Sequence, residues 1–75
     1  MLDNDPKLDL DSLKVGNFLS YCEKDIYLII KINKQDEFVV FDFLYTISNQ
    51  VIRDYKIWRS SEFSKRAFRK WPHDD

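Results

Sequence analysis

The chain predicts a mainly β domain of α+β type, a small curled antiparallel sheet or barrel of four to five strands followed by a C-terminal amphipathic α-helix. Apolar residues recur with period two between residues 15 and 58, and short polar turns break them into strand-length runs. After residue 60 the spacing changes to that of a helix.

The elements follow in order. Residues 1–11, MLDNDPKLDLD, set leucines among four aspartates around Pro6 and read as a flexible acidic N-terminal arm. One domain then spans 12–71, and residues 72–75 form a disordered tail. VGNFLSYC (15–22) gives a first strand and EKD its turn. IYLIIKIN (26–33) places Ile26, Leu28, Ile30 and Ile32 on one face, and KQDE turns the chain again. FVVFDFLYTI (38–47) puts Val39, Phe41, Phe43, Tyr45 and Ile47 on one side and Phe38, Val40, Asp42, Leu44 and Thr46 on the other. SNQ leads into VIRDYKIW (51–58).

The third strand is apolar on both sides, so both of its faces need cover. A curled sheet covers one with itself, and a helix over 60–71 is expected to cover part of the other. At about 100° per residue, Phe63, Ala67, Phe68 and Trp71 fall in one arc and Lys65, Arg66, Arg69 and Lys70 in the opposite one. Ser60 or Ser61 can cap this helix, and Pro72 stops it.

Length sets the next constraint. A chain of 75 residues holds one core, and a domain of this size buries only about 60% of its unfolded surface, so a staple is expected. The single Cys22 makes an internal disulfide impossible and leaves no thiol pair for zinc, which makes a partner protein or a homodimer the expected staple. The longest apolar runs fall far short of the roughly 20 residues that cross a bilayer as helix. The acidic N-terminus lacks the basic and apolar pattern of a secretory signal, so the expected setting is cytoplasmic, without membrane contact. A residue usage rich in AT-coded amino acids, with one alanine, hints at a bacterial or viral source.

Charge is uneven along the chain. Residues 1–11 carry a net −3, 12–52 a net −1, 53–71 a net +5 and 72–75 a net −2, giving −1 in total. The basic block, Arg53, Lys56, Arg59, Lys65, Arg66, Arg69 and Lys70, offers phosphate contacts for a nucleic acid, although it matches no motif of fixed spacing. The acidic arm could instead lie over these bases. Tyr21, Tyr27, Tyr45, Tyr55 and Trp58 are candidates for a cation cage, but the same residues are what half-buried strand positions ordinarily hold, and core or interface is the favoured reading.

At LKVGNFLS (13–20), followed by three β runs, the chain resembles the small Src-homology-3-like barrels of the Tudor and KOW type, where a basic-apolar-glycine opening often leads into the first strand. The resemblance covers residues 13–58. It implies binding of peptides, modified side chains or RNA rather than catalysis. The chain departs from that pattern by placing a helix where a fifth strand stands.

Catalytic constellations are not evident. His73, the only histidine, lies in the tail beyond Pro72, Cys22 has no histidine in a structured neighbourhood, and one glycine cannot build a phosphate loop. No cofactor or metal is expected. The expected function is that of a non-enzymatic protein-interaction module, a regulator or inhibitor. Its contact surface is expected to comprise Phe38, Val40, Asp42 and Leu44 with Trp58, Arg59, Arg66, Arg69 and Lys70 beside them. Asp42, a carboxylate among phenylalanines, needs either an ion partner such as Lys31 or Arg53, or a base supplied by the binding partner.

Overall fold

The computed structural model describes residues 7–72 and forms one five-stranded antiparallel sheet. The strands are β1 (Phe18–Tyr21), β2 (Asp25–Lys34), β3 (Phe38–Tyr45), β4 (Gln50–Trp58) and β5 (Phe68–Trp71), and one helix, α1 (Glu62–Ala67), separates β4 from β5. They lie in the order β4-β3-β2-β1-β5, and β4 and β5 are unpaired edges. The sheet is therefore open rather than a closed barrel. It curls far enough that Tyr55 of β4 and Phe68 of β5 meet edge to face, ring centroids 5.7 Å apart.

The curl originates at one residue. Phe41 and Phe43 face Tyr55 and Ile52, so Arg53 and Asp54 together oppose Asp42; on the other side Ile30 and Lys31 oppose the same residue. Both neighbours of β3 thus bulge at Asp42, and a bulge bends its strand and sharpens the local twist. The Asp42 carboxylate, buried at 8% residue exposure, accepts the backbone N–H of Asp54 at 2.9 Å, where Asp54 holds a left-handed φ of 57°. The Arg53 guanidinium stands 4.0 Å away and is mostly solvated.

The β2 bulge overturns the simple alternation expected for that strand. Tyr27, Ile29 and Ile32 face the core, whereas Ile26 and Leu28 point to the opposite side and Ile30 is 40% exposed. Strand β3 keeps the expected alternation, with Val39, Phe41 and Phe43 fully inside, but it ends at Tyr45 rather than Ile47, leaving Thr46 and Ile47 in the turn with Ile47 69% exposed. Gly16, at φ 97°, makes the entry to β1, a left-handed position where a Cβ is penalised.

The helix expected over 60–71 is the largest correction. It lasts only from Glu62 to Ala67, Ser61 caps it by accepting the Ser64 N–H, and the next four residues extend and pair with β1. Strand pairing wins because β1 would otherwise be an open edge, and pairing satisfies a row of backbone groups there. Of the expected aromatic lid, only Phe68 is buried; Phe63 is 71% exposed and Trp71 42%.

The inner face is instead closed by the segment expected to be a loose arm. Leu8, Leu10 and Leu13 are buried in one cluster with Leu19, Ile29, Val39, Phe41, Phe43, Ile57 and Phe68. A short 3-10 helix, Leu10–Ser12, capped by Asp9, shapes the segment. The Leu8 N–H donates to the Lys65 carbonyl at 2.9 Å, and Asp11 accepts two bonds from Arg59 at 3.0 and 3.1 Å. Among the described residues the expected meeting of acidic arm and basic block is realised at Asp11 and Arg59; Asp3 and Asp5 lie outside them.

Candidate functional site

The face of the sheet turned away from the core carries a continuous apolar row. Trp71 pairs with Phe18, Phe18 with Leu28, Leu28 with Leu44 and Leu44 with Val51, one side chain from every strand. At about 4.8 Å between strands the row is about 19 Å long. Phe18, Leu28 and Leu44 are half-buried by their neighbours, and the ends, Trp71 and Val51, are 42% and 44% exposed. Trp71 and Phe18 meet edge to face at 5.9 Å.

Beside the row, toward the far end of β3, Val40 lies between Asn33 and Lys56, and Phe38 opposes Trp58. The Phe38 and Trp58 rings meet at 5.0 Å, and the Lys56 ammonium sits 4.3 Å from the Phe38 centroid and 5.2 Å from that of Trp58. Ring pairs of this kind add about 0.5–1.5 kcal/mol beyond their burial, which favours a fixed surface over loose side chains. Pairing register places Lys31 and Arg69 on the same face, and the Arg53 guanidinium stands 4.0 Å from the Asp42 carboxylate there. Its one acid from the pairing register, Asp42, is already engaged with the Asp54 N–H.

The nine residues expected to bind a partner separate into groups. Phe38, Val40, Leu44 and Trp58 share the outer face. Asp42 lies on it too, but its carboxylate is turned to the β4 bulge. Arg59 is held by Asp11 and by the Gln35 carbonyl, away from the row. Arg66 projects beside the β1–β2 turn, Arg69 pairs with Glu23 at 2.9 Å, and Lys70 opposes the inward-facing Leu19 across β5. Of the seven bases expected to meet nucleic acid, Lys65 pairs with Glu62, Arg59 with Asp11 and Arg69 with Glu23.

Phe18, Leu28, Val51 and Trp71 belong to the row without having been singled out from sequence. Their apolar character was visible; which of them stand side by side depends on register, and β5 had been read as helix.

Four of the five cage candidates do converge, on the inner face. Tyr27 lies 5.1 Å from Tyr45 and 6.4 Å from Phe68, and Phe68 lies 4.9 Å from Tyr21. These rings pack on one another, closing the end of the core, and Trp58 is on the opposite face. Tyr45 donates to Asp25 at 2.8 Å, a bond that favours its neutral form and raises its pKa. Burial, then the Asp25 charge, raise Tyr27; the neighbouring Cys22 charge, then burial, raise Tyr21.

A second concavity lies between the β1–β2 turn and α1, about 390 Å³ in volume, lined by Cys22, Glu23, Phe63, Arg66, Ala67 and Arg69. The turn has two consecutive left-handed residues, Cys22 (φ 52°) and Glu23 (φ 61°), and the Cys22 N–H donates to the Ala67 carbonyl at 2.9 Å. Among the described residues no group of His, Cys, Asp or Glu is arranged to hold a metal, and no helix is long and apolar enough to cross a membrane. His73, Asp74 and Asp75 of the expected tail lie outside the described residues. Comparison with protein-family models, curated proteins and solved structures finds no match to this chain.

Proposed function

We propose that this chain is a non-enzymatic protein-interaction domain that docks a partner on the outer face of its sheet and acts by occupying that partner, as a regulator or inhibitor. The observation that carries the reading is the row Trp71–Phe18–Leu28–Leu44–Val51, which crosses every strand on the face turned away from the core cluster. Contiguous exposed apolar surface on a small domain marks an interaction site. The edges suit this role less. β4 is broken by the Asp54 bulge and bears Arg53, Asp54 and Lys56, which are the devices that protect an edge from strand addition.

Charge narrows the partner. Lys31, Arg53 and Lys56 lie beside the row, Arg69 is matched by Glu23 and Asp42 is the one acid among them, so the face is net positive; an acidic, apolar partner surface complements it and a second copy of the same face repels. The fifth strand, Phe68–Trp71, supports the likeness to Src-homology-3-like domains, from which the open edges depart. Exposed, unpaired Cys22 suits a reducing, cytoplasmic setting.

A displayed library of random peptides, selected on the wild type and on Leu44→Asp, tests the reading. Selected peptides combine acidic and apolar residues and lose binding to Leu44→Asp, whose fold is checked by circular dichroism. Peptides indifferent to that change refute the outer face as the site.

One observation favours a second reading. Phe18, Trp71, Phe38 and Trp58 with four nearby cations also resemble a stacking platform for single-stranded nucleic acid. Retention on RNA and DNA across a salt series decides: steep salt dependence lost in Lys31→Glu with Lys56→Glu selects nucleic acid, and indifference selects the protein partner.

A further inference from the structure

We propose that the cleft between the β1–β2 turn and α1 receives the C-terminal carboxylate of a partner chain whose last residue is apolar. The proposal rests on the reading of this chain as a protein-binding domain and names a feature of its partner.

The lining has two chemical parts. Phe63, a residue 71% exposed, Ala67 and Cys22 supply an apolar wall. Arg66 and Arg69 supply guanidinium groups. Arg69 is engaged by Glu23 at 2.9 Å, whereas Arg66 has no ion-pair partner among the described residues. Two guanidiniums and one carboxylate leave the cleft one positive charge, matched by one carboxylate with an apolar group attached. Guanidinium binds carboxylate through two parallel N–H donors, and the planar fork selects this anion over a single acceptor.

The wall is also fixed in place. Cys22 and Glu23 hold left-handed backbone angles that neither side chain favours, and the Cys22–Ala67 hydrogen bond ties the turn to the helix end. Cys22 and Glu23 are the central pair of the turn closed by the Lys24 N–H donating to the Tyr21 carbonyl, and such left-handed central positions ordinarily hold Asn and Gly.

Two facts select a chain end over a free small molecule. The cleft is open, with Cys22, Glu23, Phe63 and Arg66 all exposed, whereas a small ligand is held by burying most of its surface. The cleft also adjoins the apolar row: Arg69 lies on the same face of β5 as Trp71, two residues and about 7 Å along the strand. The cleft therefore opens beside the β5 end of the row, within reach of a chain end that continues from it.

The test uses three probes on the full chain, followed by amide-resolved NMR. They are acetyl-Gly-Ser-Leu-Phe with a free carboxylate, the same peptide with a C-terminal amide, and 3-phenylpropionate. The free-acid peptide gives saturable shifts at Cys22, Glu23 and Ala67. The amide binds about five- to tenfold more weakly, the effect of losing one charge-assisted pair at an exposed site. Arg66→Gln brings the acid down to the level of the amide, Phe63→Ala weakens both, and Leu44→Asp leaves the local shifts unchanged, which separates this site from the row. Equal binding of acid and amide overturns the proposal, as does absence of saturable shifts or insensitivity to Arg66→Gln. Binding of 3-phenylpropionate as tight as that of the peptide also overturns it, in favour of a small-molecule site.

Discussion

Replacing Asp42 by alanine is expected to loosen the curl of the sheet before it affects anything else. The carboxylate accepts one backbone N–H at 2.9 Å from a residue in left-handed conformation, at the point where both β2 and β4 bulge. A hydrogen bond to a charged group contributes about 1.5–3 kcal/mol. The lower part of that range applies, since Asp54 is exposed and its N–H regains water when the carboxylate is removed. Arg53 adds little, being 4.0 Å distant with its side chain 73% exposed. A loss of about 1.5–2 kcal/mol lowers Tm by roughly 6–16 °C in a domain of this size. Asp42→Asn keeps an acceptor but not the charge, and is expected to lose about half as much. Calorimetry of both variants, with hydrogen exchange at Asp54, measures this. An unchanged Tm in Asp42→Ala, or a fall as large in Asp42→Asn, refutes the assignment of the carboxylate to the bulge.

Other predictions concern the cover of the core, the tyrosine cluster and the arm. Leu10→Ala is expected to cost about 2–4 kcal/mol in urea unfolding, as for a buried leucine, while Phe63→Ala changes stability by less than about 0.5 kcal/mol; the reverse order would restore the aromatic lid. Tyr21, Tyr27 and Tyr45 all have raised pKa values. Because the folded state favours their neutral forms, the stability they contribute is present below the unfolded tyrosine value of about 10 and is lost as pH rises through the folded values. Ultraviolet titration should show these tyrosines ionising late, and Asp25→Asn should bring Tyr45 earlier; no change at Tyr45 would contradict the bond. Arg59→Ala removes the two bonds to Asp11 and one to the Gln35 carbonyl. It is expected to cost about 0.5–1 kcal/mol and to speed exchange at the Leu8 N–H.

The sheet was legible because period-two spacing and turn residues are local signals, and β3 reads correctly on both faces. The two bulges were not. They come from cross-strand register around Asp42, and moved Ile29 into the core in place of Ile30. The C-terminal segment misled for a physical reason: six residues do form a helix with the expected Ser61 cap, but Phe68–Trp71 gains more by completing the backbone bonding of β1 than by extending α1. That outcome left Phe63 in solvent and gave the cover of the inner face to Leu8, Leu10 and Leu13, whose aspartate neighbours had made them look like an arm. Of the candidate site, the outward side of β3 was legible and the row was not, since its members come from five strands whose pairing no local pattern states.

Shift mapping of a library-selected peptide on the labelled protein tests the docking face most directly. Perturbed amides should gather at Phe18, Leu28, Leu44, Val51 and Trp71. Perturbations centred on the Tyr21, Tyr27 and Tyr45 end of the inner face, with the row silent, would contradict it.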